Sequence, residues 1–181
     1  LRYYYHENVY RPSAESHTFQ EISQMGLEML GAVGEAQVQQ AVRLAAQSLA
    51  QLGAAWVLEV SHMGYLFGLF DALGVPENAR PGLLEKLREK NAHELRRAAQ
   101  AAGLDAAGAD ALTGLLELSG SCEETLAKAE RACRNDRMRA AAAELRALAK
   151  TLEASGGAVR LDLSLAGEME YYNGLVFQGY L

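Results

Sequence analysis

Apolar and polar positions alternate with period two in three segments of the chain, the pattern of a strand with one covered face. Over residues 23–30, Ser23, Met25, Leu27 and Met29 fall on one face, and Gln24, Gly26, Glu28 and Leu30 on the other. Over 55–61, Trp56, Leu58 and Val60 oppose Val57 and Glu59, and over 159–165, Val159, Leu161, Leu163 and Leu165 interleave with Arg160, Asp162 and Ser164. Aromatic and β-branched runs open and close the chain, at Arg2-Tyr3-Tyr4-Tyr5-His6 and at Leu175-Val176-Phe177. They read as strands, whose remaining sheet neighbours are expected outside these 181 residues.

Helical spacing governs most of the rest. Val38, Val42, Ala45, Leu49 and Leu52 recur on one face of a helix over 34–52, with Gly53 as its left-handed C-cap. A short helix is expected over 63–73, stopped by Gly74 and Pro76. Beyond it Pro81 sits like a first-turn proline, and Asn91 with Glu94 and Ser121 with Glu124 read as capping boxes. The fold class is therefore α+β: a mostly antiparallel sheet flanked by helices, with an all-helical insertion. The expected organisation is a first part of the sheet domain over 1–78, a helical lobe over 79–155, and the continued sheet domain over 156–181, entered through the Ser155-Gly156-Gly157 break.

Composition narrows the classes. Half of the residues are apolar and 22% charged, as in ordinary globular chains, and no run of 18 apolar residues marks a membrane span. A formal net charge of −6 argues against nucleic-acid binding as the main task. No signal-peptide pattern opens the chain, so a cytoplasmic site is expected. Cys122 and Cys133, eleven apart, suit neither a zinc knuckle nor a disulfide framework, and both are expected as reduced thiols on a helix. His6, His17, His62 and His93 never take the i, i+4 spacing of a helical metal pair, so neither a metal nor a cofactor is expected.

Two stretches can carry chemistry. Gln24 and Glu28 share a strand face about 13 Å apart, and Gly26 removes the side chain that would fill the space between them. An amide and a carboxylate around such a gap suit a small ligand with an amino group, since a carboxylate bonds a cationic donor most strongly. The simpler alternative is the wet face of a sheet. The second stretch is Glu168-Met169-Glu170-Tyr171-Tyr172-Asn173-Gly174, where paired tyrosines on a strand point to opposite faces, so that one can line a pocket.

The block Asn8-Val9-Tyr10-Arg11, a loop, then Phe19-Gln20-Glu21-Ile22-Ser23-Gln24-Met25-Gly26-Leu27-Glu28 resembles motif 2 of class II aminoacyl-tRNA synthetases, in the histidyl branch. Glu170-Tyr171-Tyr172-Asn173-Gly174-Leu175-Val176-Phe177 is similar to that branch's histidine-specific motif. The resemblance implies the synthetase catalytic-domain fold, histidine contacts at Gln24, Glu28 and Tyr172, and a phosphate-contacting role for Arg11. Two departures stand out. The family's catalytic arginine, four residues before the tyrosine pair, is Gly167 here, and the loop 12–18 carries no arginine. Losing one such donor typically costs about 10²–10³ in rate.

A pocket that keeps the amino-acid residues and drops the nucleotide ones resembles the synthetase-like regulatory subunits of ATP phosphoribosyltransferase. Segments 58–65 and 87–95 also look like that family's. The resemblance implies no catalytic residue and a partner in the short catalytic subunit, with histidine as effector. It also implies a homodimer within a hetero-oligomer, and a contact at Arg11 retained only as a remnant. The alternative implied by the same motifs is a histidyl-tRNA synthetase catalytic-domain fragment.

Overall fold

The computed structural model describes residues 1–13, 18–152, 158–167 and 172–181, in two compact units, Leu1–Ala41 and Val42–Leu181. The first unit is built on a long hairpin. Strand β1 (Arg2–Pro12) pairs antiparallel with β2 (Phe19–Met29), from Arg2 opposite Met29 to Pro12 opposite Phe19. Its open end is closed by the Leu1 amino group on the Leu30 carbonyl at 2.8 Å and the Leu30 N–H on the Leu1 carbonyl at 2.9 Å. The expected strand over 23–30 is thus the second half of a longer one. The chain leaves through Gly31, whose φ of +107° costs a glycine little, into α1 (Glu35–Ala50), and Gly53, at φ +69°, follows its end as expected.

The second unit holds a four-stranded sheet in the order β4–β5–β3–β6, formed by β3 (Val57–His62), β4 (Ser119–Ser121), β5 (Ala158–Asp162) and β6 (Leu175–Tyr180). Pairing is antiparallel at β4–β5 and β3–β6 and parallel at β5–β3. Leu58 and Val60 of β3 are buried, as their alternation requires. Helix α2 (Met63–Ala72) follows β3 directly and is buried from Met63 through Phe70, so it is apolar on every side, the pattern of a helix enclosed by others. Its start is fixed by His62, whose Nδ1 accepts the Gly64 N–H at 3.0 Å while Nε2 faces Glu144 Oε2 at 3.0 Å.

Around this axis lie α3 (Arg80–Arg88), α4 (Ala92–Ala101), α5 (Ala106–Thr113), α6 (Cys122–Ala132) and α7 (Asp136–Leu152). Helix α7 packs along α2 and against β3, burying Met138, Ala141, Ala142, Leu145, Leu148 and Leu152. Fully burying each Leu or Met contributes roughly 1.5–3 kcal/mol. The Asn91 cap forms, its side chain accepting the Glu94 N–H at 3.2 Å, and Pro81 lies in the first turn of α3.

Three local expectations change. Residues 79–155 are not wholly helical, because β4 lies among them and pairs with β5. The strand expected over 159–165 stops at Asp162, whose carboxylate takes both the N–H and the hydroxyl of Ser164 and turns the chain. Ser121 bonds the Glu124 carboxylate at 3.1 Å instead of a backbone N–H. Neither cysteine is in a disulfide: Cys122 opens α6 and Cys133 lies just past its end. No helix among the described residues is long and apolar enough to cross a membrane, and no cluster of His, Cys, Asp or Glu among them could hold a metal.

Candidate functional site

The hairpin register decides what shares the face of Gln24 and Glu28. Arg11 stands opposite Gln20, Glu7 opposite Gln24, Tyr5 opposite Gly26 and Tyr3 opposite Glu28, and directly paired residues project to one side of the ribbon. The register therefore brings Arg11, Gln24 and Glu28 to one face. Arg11 and Glu28 are exposed and Gln24 is half-buried. The Arg11 guanidinium donates to the Tyr10 carbonyl at 3.5 Å, a long and weak bond.

The gap expected at Gly26 is filled. The Tyr5 ring lies across the glycine so closely that a Cβ there would stand 2.3 Å from both Cζ and Oη. The Tyr5 hydroxyl accepts a hydrogen bond from Gln24 Nε2 at 2.9 Å. An aromatic ring covering a cross-strand glycine compensates for the missing side chain. Tyr5 was not legible as a site residue because its role depends on pairing with Gly26, which the two strands' separate patterns do not reveal. The Tyr-Gly pairing would have been its only signal.

Tyr172 belongs to the second unit. It precedes β6 and is 49% exposed, and the strand begins only at Leu175, after the Asn173-Gly174 turn. Tyr171 and residues 168–170 lie outside the described residues, so the expected pointing of the tyrosine pair to opposite faces has no counterpart here. The Tyr172 ring covers Gly167, where a Cβ would stand 2.5 Å from Cδ2. Gly167 and Gly174 both meet the start of α2 at Met63. The Gly167 N–H points to Met63 Sδ at 3.3 Å, and the Met63 N–H bonds the Gly174 carbonyl at 2.8 Å.

An ionic cluster around Asp162 lies outside these residues. Asp162, 1% exposed, accepts Lys90 Nζ at 2.5 Å as well as both Ser164 donors. Burial alone would raise its carboxyl, and the Ser164 bonds and Lys90 ammonium outweigh burial and hold it below the ordinary value. The cluster joins the end of α3 to the end of β5 and is structural.

A hairpin of this kind and a mixed sheet with helices on it are shared with solved class II synthetase-like proteins. A crystal structure titled as an ATP phosphoribosyltransferase regulatory subunit/histidyl-tRNA synthetase from Bacillus halodurans superposes on 99% of this chain and 48% of its own, at 30% identity and a TM-score of 0.84. An ATP phosphoribosyl transferase complex from Thermotoga maritima shares the fold at 19% identity, TM-score 0.78, over 99% of this chain and 63% of that one. The family model for histidyl-tRNA synthetase matches residues 1–181, and the chain belongs to that family. Among curated relatives, the ATP phosphoribosyltransferase regulatory subunit of Desulfitobacterium hafniense is 33% identical over 184 residues, covering 100% of this chain and 47% of the relative. The chain thus spans about half the length of the curated relatives it matches.

Proposed function

We propose that this chain is part of a non-catalytic regulatory subunit of ATP phosphoribosyltransferase, required for the activity of the short catalytic subunit and for its feedback inhibition by histidine at the first step of histidine biosynthesis. The observation that carries the reading is Gly167. Where the synthetase motif has a catalytic arginine, this chain has a glycine covered by Tyr172. The residues matching the amino-acid contacts, Gln24, Glu28 and Tyr172, are retained. A site that binds histidine without a cation to stabilise charge on the activated carboxylate can sense the amino acid and cannot adenylate it efficiently. The regulatory-subunit relatives support the same reading.

The motif match assigns histidine contacts to Gln24, Glu28 and Tyr172 and a remnant contact to Arg11, and within the first unit Gln24 and Glu28 offer an amide and a carboxylate to the ligand's donors. Histidine inhibits only by the difference in its affinity for active and inactive assemblies. By linkage, a substrate that favours the active assembly weakens histidine binding by the same factor. The expected assembly is a homodimer within a hetero-oligomer, in the cytoplasm.

The test uses the full-length protein. It is expected to co-purify with a short-form catalytic subunit, to raise that subunit's turnover, and to confer histidine inhibition. Histidine-dependent exchange of pyrophosphate into ATP by the full-length protein alone would overturn the proposal in favour of a synthetase.

A further inference from the structure

We infer that Tyr5 is a positioning residue of the amino-acid site: it builds the floor between Gln24 and Glu28 and fixes which atom of the Gln24 amide faces the ligand. The inference rests on the proposed histidine-binding role of that face and deepens it. The ring stands where a Gly26 side chain would be, with Cζ, Oη and Cε1 all within 2.6 Å of an added Cβ. It is tethered at its far end, where the hydroxyl accepts from Gln24 Nε2 at 2.9 Å.

Two consequences follow from the donor and acceptor inventory. With its NH₂ group turned to Tyr5, the Gln24 amide presents Oε1, an acceptor, to anything lying on the face. The Tyr5 hydroxyl, having accepted from Gln24, keeps its own proton as a donor. The face therefore offers an acceptor at Gln24, an anionic acceptor at Glu28, a donor at Tyr5, and between them an aromatic ring able to receive a cationic group. This set fits an α-amino acid, whose ammonium seeks the acceptors and the ring and whose carboxylate seeks a donor. Glycine at 26 is required because any side chain would push the ring off the floor.

The experiment is a double-mutant cycle in the full-length protein, with histidine affinity measured by calorimetry. Tyr5→Phe keeps the ring and removes the hydroxyl. It is expected to weaken histidine binding about ten-fold in the wild-type background and only about two- to three-fold when Gln24 is already leucine, because the amide orientation is then already lost and only the hydroxyl's own donation to the ligand remains to be removed. Gly26→Ala is expected to weaken binding at least as much as Tyr5→Phe, and Gly26→Ala with Tyr5→Phe no more than Gly26→Ala alone. Equal losses from Tyr5→Phe in both Gln24 backgrounds, or no loss at all while wild type binds, would overturn the role of Tyr5 and leave the regulatory reading standing. Absence of histidine binding to wild type would remove both.

Discussion

The Tyr172 ring rests on Gly167 with no room between them for even a methyl group: Cδ2 lies 2.5 Å from where a Cβ would stand. Glycine at this position thus does more than omit a cation. It lets an aromatic ring settle into the space a longer side chain would cross. Gly167→Ala is expected to displace Tyr172 and weaken histidine binding by about ten-fold, the scale of one well-placed contact. Gly167→Arg should weaken it further without creating pyrophosphate exchange, because the loop 12–18 still lacks arginines for the triphosphate. Calorimetry and an exchange assay on the full-length protein check the two halves, and unchanged affinity in Gly167→Ala would remove Tyr172 from the site.

Glu28 is exposed and paired across the ribbon with Tyr3, so its carboxylate is presented on the ribbon face that it shares with Gln24. A charged hydrogen bond is worth about 1.5–3 kcal/mol, and a neutral amide in its place keeps only part of that. Glu28→Gln is expected to raise the histidine inhibition constant of the assembled transferase by roughly ten-fold or more while leaving its uninhibited turnover unchanged. An unchanged inhibition constant would place the effector elsewhere.

The elements were legible where one local rule acted alone. The apolar spacing of Val38, Val42 and Ala45 marked α1, and Asn91 with Glu94 marked the start of α4. Rules acting at a distance were hidden. Ser119 to Ser121 carry no strand signal of their own and become β4 only because β5 offers an edge. The alternation running to Leu165 is cut at Asp162 because a side chain captures the Ser164 backbone, a competition that periodicity does not register. At the proposed site, spacing singled out Gln24, Glu28 and one of the two adjacent tyrosines, and the resemblance pointed to Tyr172 and added Arg11. The occupant of the Gly26 gap was missed because it comes from the opposite strand.

Close approach of α2 and α7 gives a prediction in which two magnitudes compete. At Gly68 a Cβ would meet Met138 Cγ at 2.7 Å and the Met138 backbone nitrogen at 3.1 Å, and the Gly68 carbonyl accepts from Asn135 Nδ2 at 2.7 Å. Replacing a helical glycine by alanine gains at most about 1 kcal/mol of propensity, whereas overpacking a core costs typically 1–3 kcal/mol. The Met138 side chain can shift but the backbone beside it cannot, so crowding wins. Gly68→Ala is expected to lower stability by about 1–2 kcal/mol in urea unfolding. A gain in stability would show that the helices separate freely.

The Lys90–Asp162 pair sets the response to acid. Asp162 is buried and its carboxyl is held below the ordinary value, by the Ser164 bonds and Lys90 against the opposing effect of burial. A group whose folded pKa is depressed adds stability that is complete above its unfolded pKa and is lost as pH falls through the folded value. The wild type should therefore lose this contribution only below about pH 4, the ordinary carboxylate range. Lys90→Met leaves the carboxylate buried with only the Ser164 donors. Breaking a fully buried pair costs about 3–5 kcal/mol. Lys90 is half-exposed, and two bonds to Asp162 survive, which reduces the expected loss to about 1–3 kcal/mol at pH 7. As pH falls the Asp162 carboxyl becomes protonated in the variant first, so the gap between the two proteins should narrow toward acid pH. Denaturant unfolding at pH 7 and pH 4 measures this, and a gap that stays constant between them would show that the pair makes no electrostatic contribution.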